Sequence, residues 1–116
     1  MGMSRDFESS ANPEAVALII PDSATVSNAI ACAGFSWARF YFASGFEGTV
    51  FYIEVTEDDP GDSPTWYDMH DETNTEVSMT PTAGDSIRVD GLLARHFRLV
   101  ADAQTGAYTV PYHLSG

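Results

Sequence analysis

The segment Glu57-Asp-Asp-Pro-Gly-Asp62 brings four carboxylates together between two aromatic-rich runs. Calcium needs several oxygen ligands, and an EF-hand loop also needs a glycine midway and a glutamate at its end. The segment supplies oxygens without that spacing. Pro60-Gly61 is typical of a turn in which aspartates accept hydrogen bonds from nearby backbone N–H groups. The sequence therefore predicts a solvent-facing hairpin tip, with a structural cation and catalysis as the open alternatives.

A histidine beside two carboxylates, in His70-Asp71-Glu72, is a second candidate for acid–base chemistry. Adjacent residues of a strand point to opposite faces, so these side chains do not converge through sequence alone. We therefore interpret the segment as a polar turn. His70, His96 and His113 could assemble a zinc site, but no two of them have the spacing of zinc ligands.

The familiar motifs of enzymes are absent from the sequence. It contains no Gly-x-Ser-x-Gly elbow, no glycine-rich phosphate loop and no dinucleotide-binding fingerprint. Cys32 is the single cysteine and lies in an apolar run, where a buried structural thiol is expected rather than a reactive one. The sequence thus predicts a protein that is not an enzyme, with no catalytic, cofactor-binding or metal-binding residues and no cofactor.

Two further groups of side chains allow both a structural and a binding role. Arg95-His-Phe-Arg98 is the densest basic segment, and it predicts an intrachain salt bridge, with a grip on an acidic partner as the alternative. The aromatic residues predict a filled core, with a sugar-binding platform as the alternative. They are Trp37, Phe40, Tyr41, Phe42, Phe51, Tyr52, Trp66 and Tyr67.

The charge balance restricts the kinds of partner. The chain has 116 residues, with 17 acidic residues, five arginines and no lysine, and a formal net charge of -12. Such a surface repels nucleic-acid phosphates and anionic membranes, so neither partner is expected. No apolar run is long enough to span a bilayer, and the first ten residues lack the apolar region of a signal peptide. We expect one domain, made in the cytoplasm.

Short apolar runs separated by turn residues predict an all-β fold. The runs recur at the spacing of an antiparallel β-sandwich, which we expect to be jelly-roll-like. Residues 1–12 are polar and predict a flexible N-terminal arm, and residues 13–116 predict the sandwich domain. The predicted strands are 15–20, 24–32, 35–42, 50–55, 65–69, 76–79, 86–89, 96–101 and 108–114.

Three strand predictions are more specific. A helix starting at Asn12 is an alternative to the first strand, but the β-branched residues after it favour the strand. The strand at 35–42 is aromatic on both faces, which predicts a central or covered position. Pro111 lacks a backbone N–H and predicts that the last strand lies at a sheet edge.

The order of hairpins and aromatic residues over roughly residues 24–114 resembles small β-sandwich proteins encoded by tailed bacteriophages. Those proteins combine an Asp-Gly-Gly-Thr-Thr-Trp-Tyr-Asp hairpin, a Gly-x-Glu-Val strand and an Arg-Tyr-Leu-Lys strand. The matching segments here are Thr65-Trp-Tyr-Asp68, Glu76-Val77 and Arg95-His-Phe-Arg-Leu99. This chain departs from the pattern in its longer loop at 57–64 and its lack of lysine.

The resemblance implies a virion structural protein, of the decoration or cement type on the capsid surface. It implies the major capsid protein as partner, a homo-oligomer with a trimer favoured, and a virion location after synthesis in the host cytoplasm. The N-terminal arm, anchored by Phe7, would order on a neighbouring subunit. Arg95-His-Phe-Arg-Leu-Val100 also resembles the last strands of galactose-binding, discoidin-like sandwiches, which implies a non-catalytic carbohydrate-binding module as the alternative.

Overall fold

A computed structural model describes residues 17–116, and in this part of the chain nine strands and no helix are present. The predicted arm at 1–12 and the first residues of the predicted sandwich lie outside the described residues. Ala17 and Leu18, which the alternative helix would have included, are in a strand. The strands are β1 Ala17–Ile20, β2 Ile30–Ala31, β3 Trp37–Phe42, β4 Phe51–Thr56, β5 Tyr67–Asp68, β6 Ser78–Met79, β7 Asp85–Asp90, β8 His96–Val100 and β9 Tyr108–Ser115.

The strands form two antiparallel sheets packed as a sandwich. Sheet I has the order β1-β9-β3-β7. Sheet II has the order β2-β8-β4-β5, and β6 also pairs with β4, beyond the end of β5. If β5 and β6 are taken as one position, each sheet has four positions, and the alternation of the chain between the sheets is that of a jelly roll. The prediction of an all-β, jelly-roll-like antiparallel sandwich is confirmed.

Alternating side chains place the core between the two sheets. In β3, Ala38, Phe40 and Phe42 are buried, whereas the residues between them point outward. Phe40 of sheet I meets Phe97 of sheet II edge-on, with ring centroids 5.8 Å apart. β3 lies between β9 and β7, so the predicted central position is confirmed. The fully buried large side chains include Phe40, Phe42, Phe51, Phe97, Leu18, Ile20, Ile53, Leu92, Leu99 and Val110.

The predicted strand at 24–32 is shorter than expected, because only Ile30–Ala31 belongs to a strand. The preceding residues join the two sheets instead. Ser27 exchanges hydrogen bonds with Leu99 of sheet II, through its backbone N–H and its hydroxyl. The next residue, Asn28, binds Ile19 of sheet I through its backbone N–H and its side-chain amide. A segment that crosses between sheets cannot continue a ladder in either one.

The predicted edge position of the last strand is wrong. β9 lies between β1 and β3, because its two halves pair with different strands. Residues 108–111 pair with β1, and residues 112–115 pair with β3. Pro111 lies opposite Ala17, the first described residue of β1, and the pairing with β3 begins at the next residue, Tyr112.

Candidate interaction surface

The acidic segment at 57–62 lies in the connection between β4 and β5, and its geometry is that of a turn. Asp58 accepts a hydrogen bond from the backbone N–H of Thr65 at 2.9 Å. Asp59 accepts one from the N–H of Gly61, also at 2.9 Å. The predicted hairpin tip is therefore confirmed. Within residues 17–116, no cluster of three or more histidine, cysteine or acidic side chains is arranged to hold a metal ion.

His70-Asp71-Glu72 is also a turn, as the sequence predicts. Asp71 accepts hydrogen bonds from the hydroxyl and N–H of Thr73 and from the N–H of Thr75. These bonds, led by the one from the Thr73 hydroxyl, lower the pKa of Asp71. The three histidines are on different elements: His70 lies between β5 and β6, His96 in β8 of sheet II, and His113 in β9 of sheet I.

Cys32 has the environment of a structural thiol. The side chain is buried, and its Sγ donates to the carbonyl oxygen of Ala94 at 3.3 Å. Burial, reinforced by the nearby Glu57 carboxylate, raises the pKa of Cys32 to about 11. The thiolate needed for nucleophilic attack is therefore scarce at neutral pH.

On the outer face of sheet II, the basic segment is used within the chain. Two nitrogens of Arg98 each approach Oε1 of Glu54 to 2.7 Å, which confirms the predicted salt bridge for this arginine. The guanidinium also lies over the ring of Trp66, 4.2 Å from its centroid. Arg95 differs, because it is exposed and donates to the backbone carbonyl of Glu57 at 3.2 Å.

On the outer face of sheet I, three basic side chains lie side by side. Arg39 of β3 pairs across one ladder with Arg88 of β7 and across the other with His113 of β9. We call these three residues the cationic row. Arg39 and Arg88 are 49 positions apart along the chain, and Arg88 and His113 are 25 positions apart. Only the register between the strands therefore brings them together. Sequence reasoning missed this row, and the signal that finds it is the strand order of sheet I.

The two arginines of the cationic row differ in their hydrogen-bond and ion-pair partners. Arg88 binds Oδ1 of Asp90 through Nε at 2.9 Å and Nη2 at 2.8 Å, and it lies 4.1 Å from the ring centroid of Trp37. Arg39 donates from Nη1 to the hydroxyl of Ser86 at 3.2 Å. No carboxylate of residues 17–116 lies within ion-pair distance of Arg39. Most of its five N–H donors therefore have no partner among the described residues.

The aromatic residues divide by type between the core and the surface. Phe40, Phe42 and Phe51 are buried in the core, which confirms that part of the prediction. The tryptophans and tyrosines of the predicted set lie outside it, and Tyr41 and Tyr67 are exposed. Trp37, Trp66 and Tyr52 are half-buried on the outer faces.

Acidic side chains concentrate at one edge of sheet II. Residues 57–76 contain no arginine or lysine, and they form the β4–β5 hairpin and the β5–β6 connection. We call the carboxylates of this segment the acidic strip. Five of its eight members accept no side-chain hydrogen bond from the described residues, since only Asp58, Asp59 and Asp71 do so. The strip consists of Glu57, Asp58, Asp59, Asp62, Asp68, Asp71, Glu72 and Glu76.

One end of the sandwich exposes apolar side chains. Leu93, in the loop between β7 and β8, is 80% exposed, and Phe35, just before β3, is 40% exposed. Both line an open pocket of about 440 Å³, together with the polar side chains of Ser36, Glu57 and Arg95. The pocket is a shallow surface feature where a partner could bury these apolar groups.

Comparisons with protein-family models, with curated proteins and with solved structures find no match to this chain. No helix in residues 17–116 is long and apolar enough to cross a membrane.

Proposed function

We propose that this chain is a virion structural protein of a tailed bacteriophage and that it binds the capsid surface as a decoration, or cement, protein. The jelly-roll order of its strands carries the proposal, since this fold recurs in viral capsid domains. The described side chains are better suited to binding another protein than to catalysis. The outer surface offers charged and apolar patches, and Cys32 is buried with a raised pKa.

The partner in this proposal is the major capsid protein, bound by a homo-oligomer, favoured as a trimer, on a local symmetry axis. Neither nucleic acid nor membrane is a partner, because the net charge of -12 repels both kinds of anionic surface. The same charge keeps decorated particles dispersed in solution. Exposed Leu93 and Phe35 are apolar anchors that contact with a lattice would bury.

Co-sedimentation with empty capsids tests the proposal. The capsids are assembled from the major capsid protein encoded in the same genome, and capsids of an unrelated phage serve as the control. We expect saturable binding at a fixed number of copies per capsid, and binding only to the cognate particle. Absence of binding to cognate capsids, or equal binding to both kinds, would overturn the proposal.

A carbohydrate-binding module is the second candidate, favoured by one observation. Trp37 and Tyr41 lie on the same open face of β3, on either side of Arg39. An arginine covers one side of each tryptophan ring, Arg88 at Trp37 and Arg98 at Trp66, so Tyr41 is the more open aromatic residue of this platform. Glycan-array binding that Tyr41→Ala abolishes and Tyr67→Ala preserves would favour this function. Absence of binding with and without calcium would exclude it.

A further inference from the structure

The cationic row places two arginines directly opposite each other in sheet I. Directly opposed residues of an antiparallel pair have Cβ atoms only about 5 Å apart, and like charges at such positions destabilise the sheet. Arg39 and Arg88 occupy such positions. Asp90 neutralises Arg88, whereas Arg39 has no carboxylate partner among the described residues. In a chain with five arginines, no lysine and 17 acidic residues, this is a specific place for an acidic ligand.

We propose that the cationic row of one copy of this chain binds the acidic strip of a second copy. Charge complementarity selects this occupant, because residues 57–76 contain eight carboxylates and no arginine or lysine. Glu72 and Glu76 are exposed and accept no hydrogen bond from the described side chains or backbone, so they can meet Arg39 without breaking existing contacts. Trp37 and Tyr41 flank the row with aromatic surface, and arginine and aromatic residues are enriched in interfaces.

The position of the two patches sets the kind of assembly. The cationic row lies on the outer face of sheet I, and the acidic strip lies along an edge of sheet II. A contact between two different patches is heterologous, and such contacts close into rings when the rotation between copies permits. The net charge opposes association, but the Debye length of about 8 Å at physiological ionic strength screens distant charges more than contacting ones.

Charge reversal in matched pairs tests the contact by light scattering. Arg39→Glu reverses the arginine of the row that has no carboxylate partner among the described residues, and Arg95→Glu makes the same charge change at the exposed loop end. We expect the wild type and Arg95→Glu to form the same oligomer, and Arg39→Glu to have the mass of a single chain. Raising the salt to about 1 M, where the Debye length is about 3 Å, should reduce the wild type to single chains.

Mixing two variants tests the head-to-tail arrangement. Glu72→Arg combined with Glu76→Arg reverses two charges of the strip and should prevent it from binding the row. Glu47→Arg reverses one charge at an exposed site elsewhere and is the control. The Arg39→Glu chain retains a strip and the double variant retains a row. Each should be a single chain alone, and an equimolar mixture should form a species of two chains and nothing larger. Circular dichroism of each variant confirms that it is folded.

The proposal rests on the oligomerisation included in the proposed function, but not on capsid binding. A single-chain mass for the wild type at all salt concentrations would overturn it, even if capsids bind. Equal masses for Arg39→Glu and the wild type, or no pairing in the mixture, would overturn it as well. Capsid co-sedimentation is scored separately: loss of capsid binding in Arg39→Glu with a single-chain wild type would assign the row to the capsid instead.

Discussion

On the outer face of sheet II, Arg98 lies between an acid and an aromatic ring, whereas on sheet I, Arg39 lies between another arginine and a histidine. The Arg98–Glu54 pair is largely buried, with side chains 23% and 21% exposed. The Arg88–Asp90 pair on sheet I is more open, at 46% and 70%. Each face thus pairs one arginine with an acid and a tryptophan, but the pair on sheet I is more open, and Arg39 lies beside it without a carboxylate partner among the described residues.

This difference separates arginines that stabilise the fold from arginines that remain available. A charged group that loses most of its water needs a partner, because an unpaired charge in such a place is costly. Glu54 and Trp66 satisfy that need for Arg98. Arg39 is half-buried, and its one side-chain hydrogen bond within the described residues is to Ser86. Substitutions at Arg98 and its partners on sheet II should therefore change the free energy of unfolding. Substitution of Arg39 on sheet I should instead change binding.

Glu54→Ala should have the largest effect on stability. It leaves Arg98 without its carboxylate in a position with little access to water. Hydrogen bonds to charged groups contribute roughly 1.5–3 kcal/mol, and we expect a loss of that size in the free energy of unfolding. Urea denaturation measures it as a lower midpoint with an unchanged slope. Glu47→Ala, at an exposed site, is the control, and an equal loss in both variants would contradict the comparison.

Trp66→Ala should have the next largest effect. The ring of Trp66 covers the guanidinium of Arg98 at 4.2 Å, and a cation–π contact contributes roughly 0.5–2 kcal/mol depending on its desolvation. We expect a destabilisation of about 1–2 kcal/mol from the lost contact and the added hydration of the ion pair. Trp66→Phe should retain part of it. If Trp66→Ala costs the same with and without Arg98→Ala, the ring and the arginine are not coupled.

The sheet I arginines should have small effects on the stability of the single chain. Arg88→Ala breaks an exposed ion pair, and such pairs contribute roughly 0–1 kcal/mol. Arg39→Ala removes one of two opposed like charges, so we expect no loss or a slight gain. Urea denaturation at a protein concentration where every variant is a single chain provides the measurement. A cost for Arg39→Ala as large as that for Glu54→Ala would remove the distinction between the faces.

β4 and the hairpin that follows it could be predicted from the sequence because their signals are local. Apolar residues alternate with polar ones in β4, where Phe51 and Ile53 are buried and Tyr52 and Glu54 are not. Pro60-Gly61 and the aspartates around it specify the hairpin through hydrogen bonds a few residues apart. Such patterns are sufficient for strands and turns, and they led to the correct fold class.

The cationic row could not be predicted because it depends on neighbours distant in the sequence. Arg39, Arg88 and His113 meet only when β9, β3 and β7 are adjacent in a defined register. The central place of β9 was also hidden, because Pro111 is an edge signal when strand order is unknown. Strands lie on both sides of β9 in sheet I, which is a property of the whole sheet and not of the segment that contains the proline.

The smallest effect on stability is predicted for Asp71, which lies in the acidic strip. Asp71 is held by its own turn, whereas the exposed Glu72 beside it accepts no hydrogen bond from the described residues. The bonds from Thr73 and Thr75 lower the pKa of Asp71 below its unfolded value of 3.8. Because the folded pKa is the lower one, the stabilisation is fully present above pH 3.8 and is lost as the pH falls through the folded pKa.

Asp71→Asn should therefore lower the Tm slightly at neutral pH, and its difference from the wild type should shrink as the pH falls below 3.8. Glu72→Gln, at the exposed neighbour that accepts no hydrogen bond from the described residues, is the matched control. Thermal unfolding of both variants and the wild type across this range provides the measurement. A difference for Asp71→Asn that grows as the pH falls would contradict the assignment. The expected result would divide the strip into carboxylates that hold their own loop, such as Asp71, and carboxylates such as Glu72 that are available to another chain.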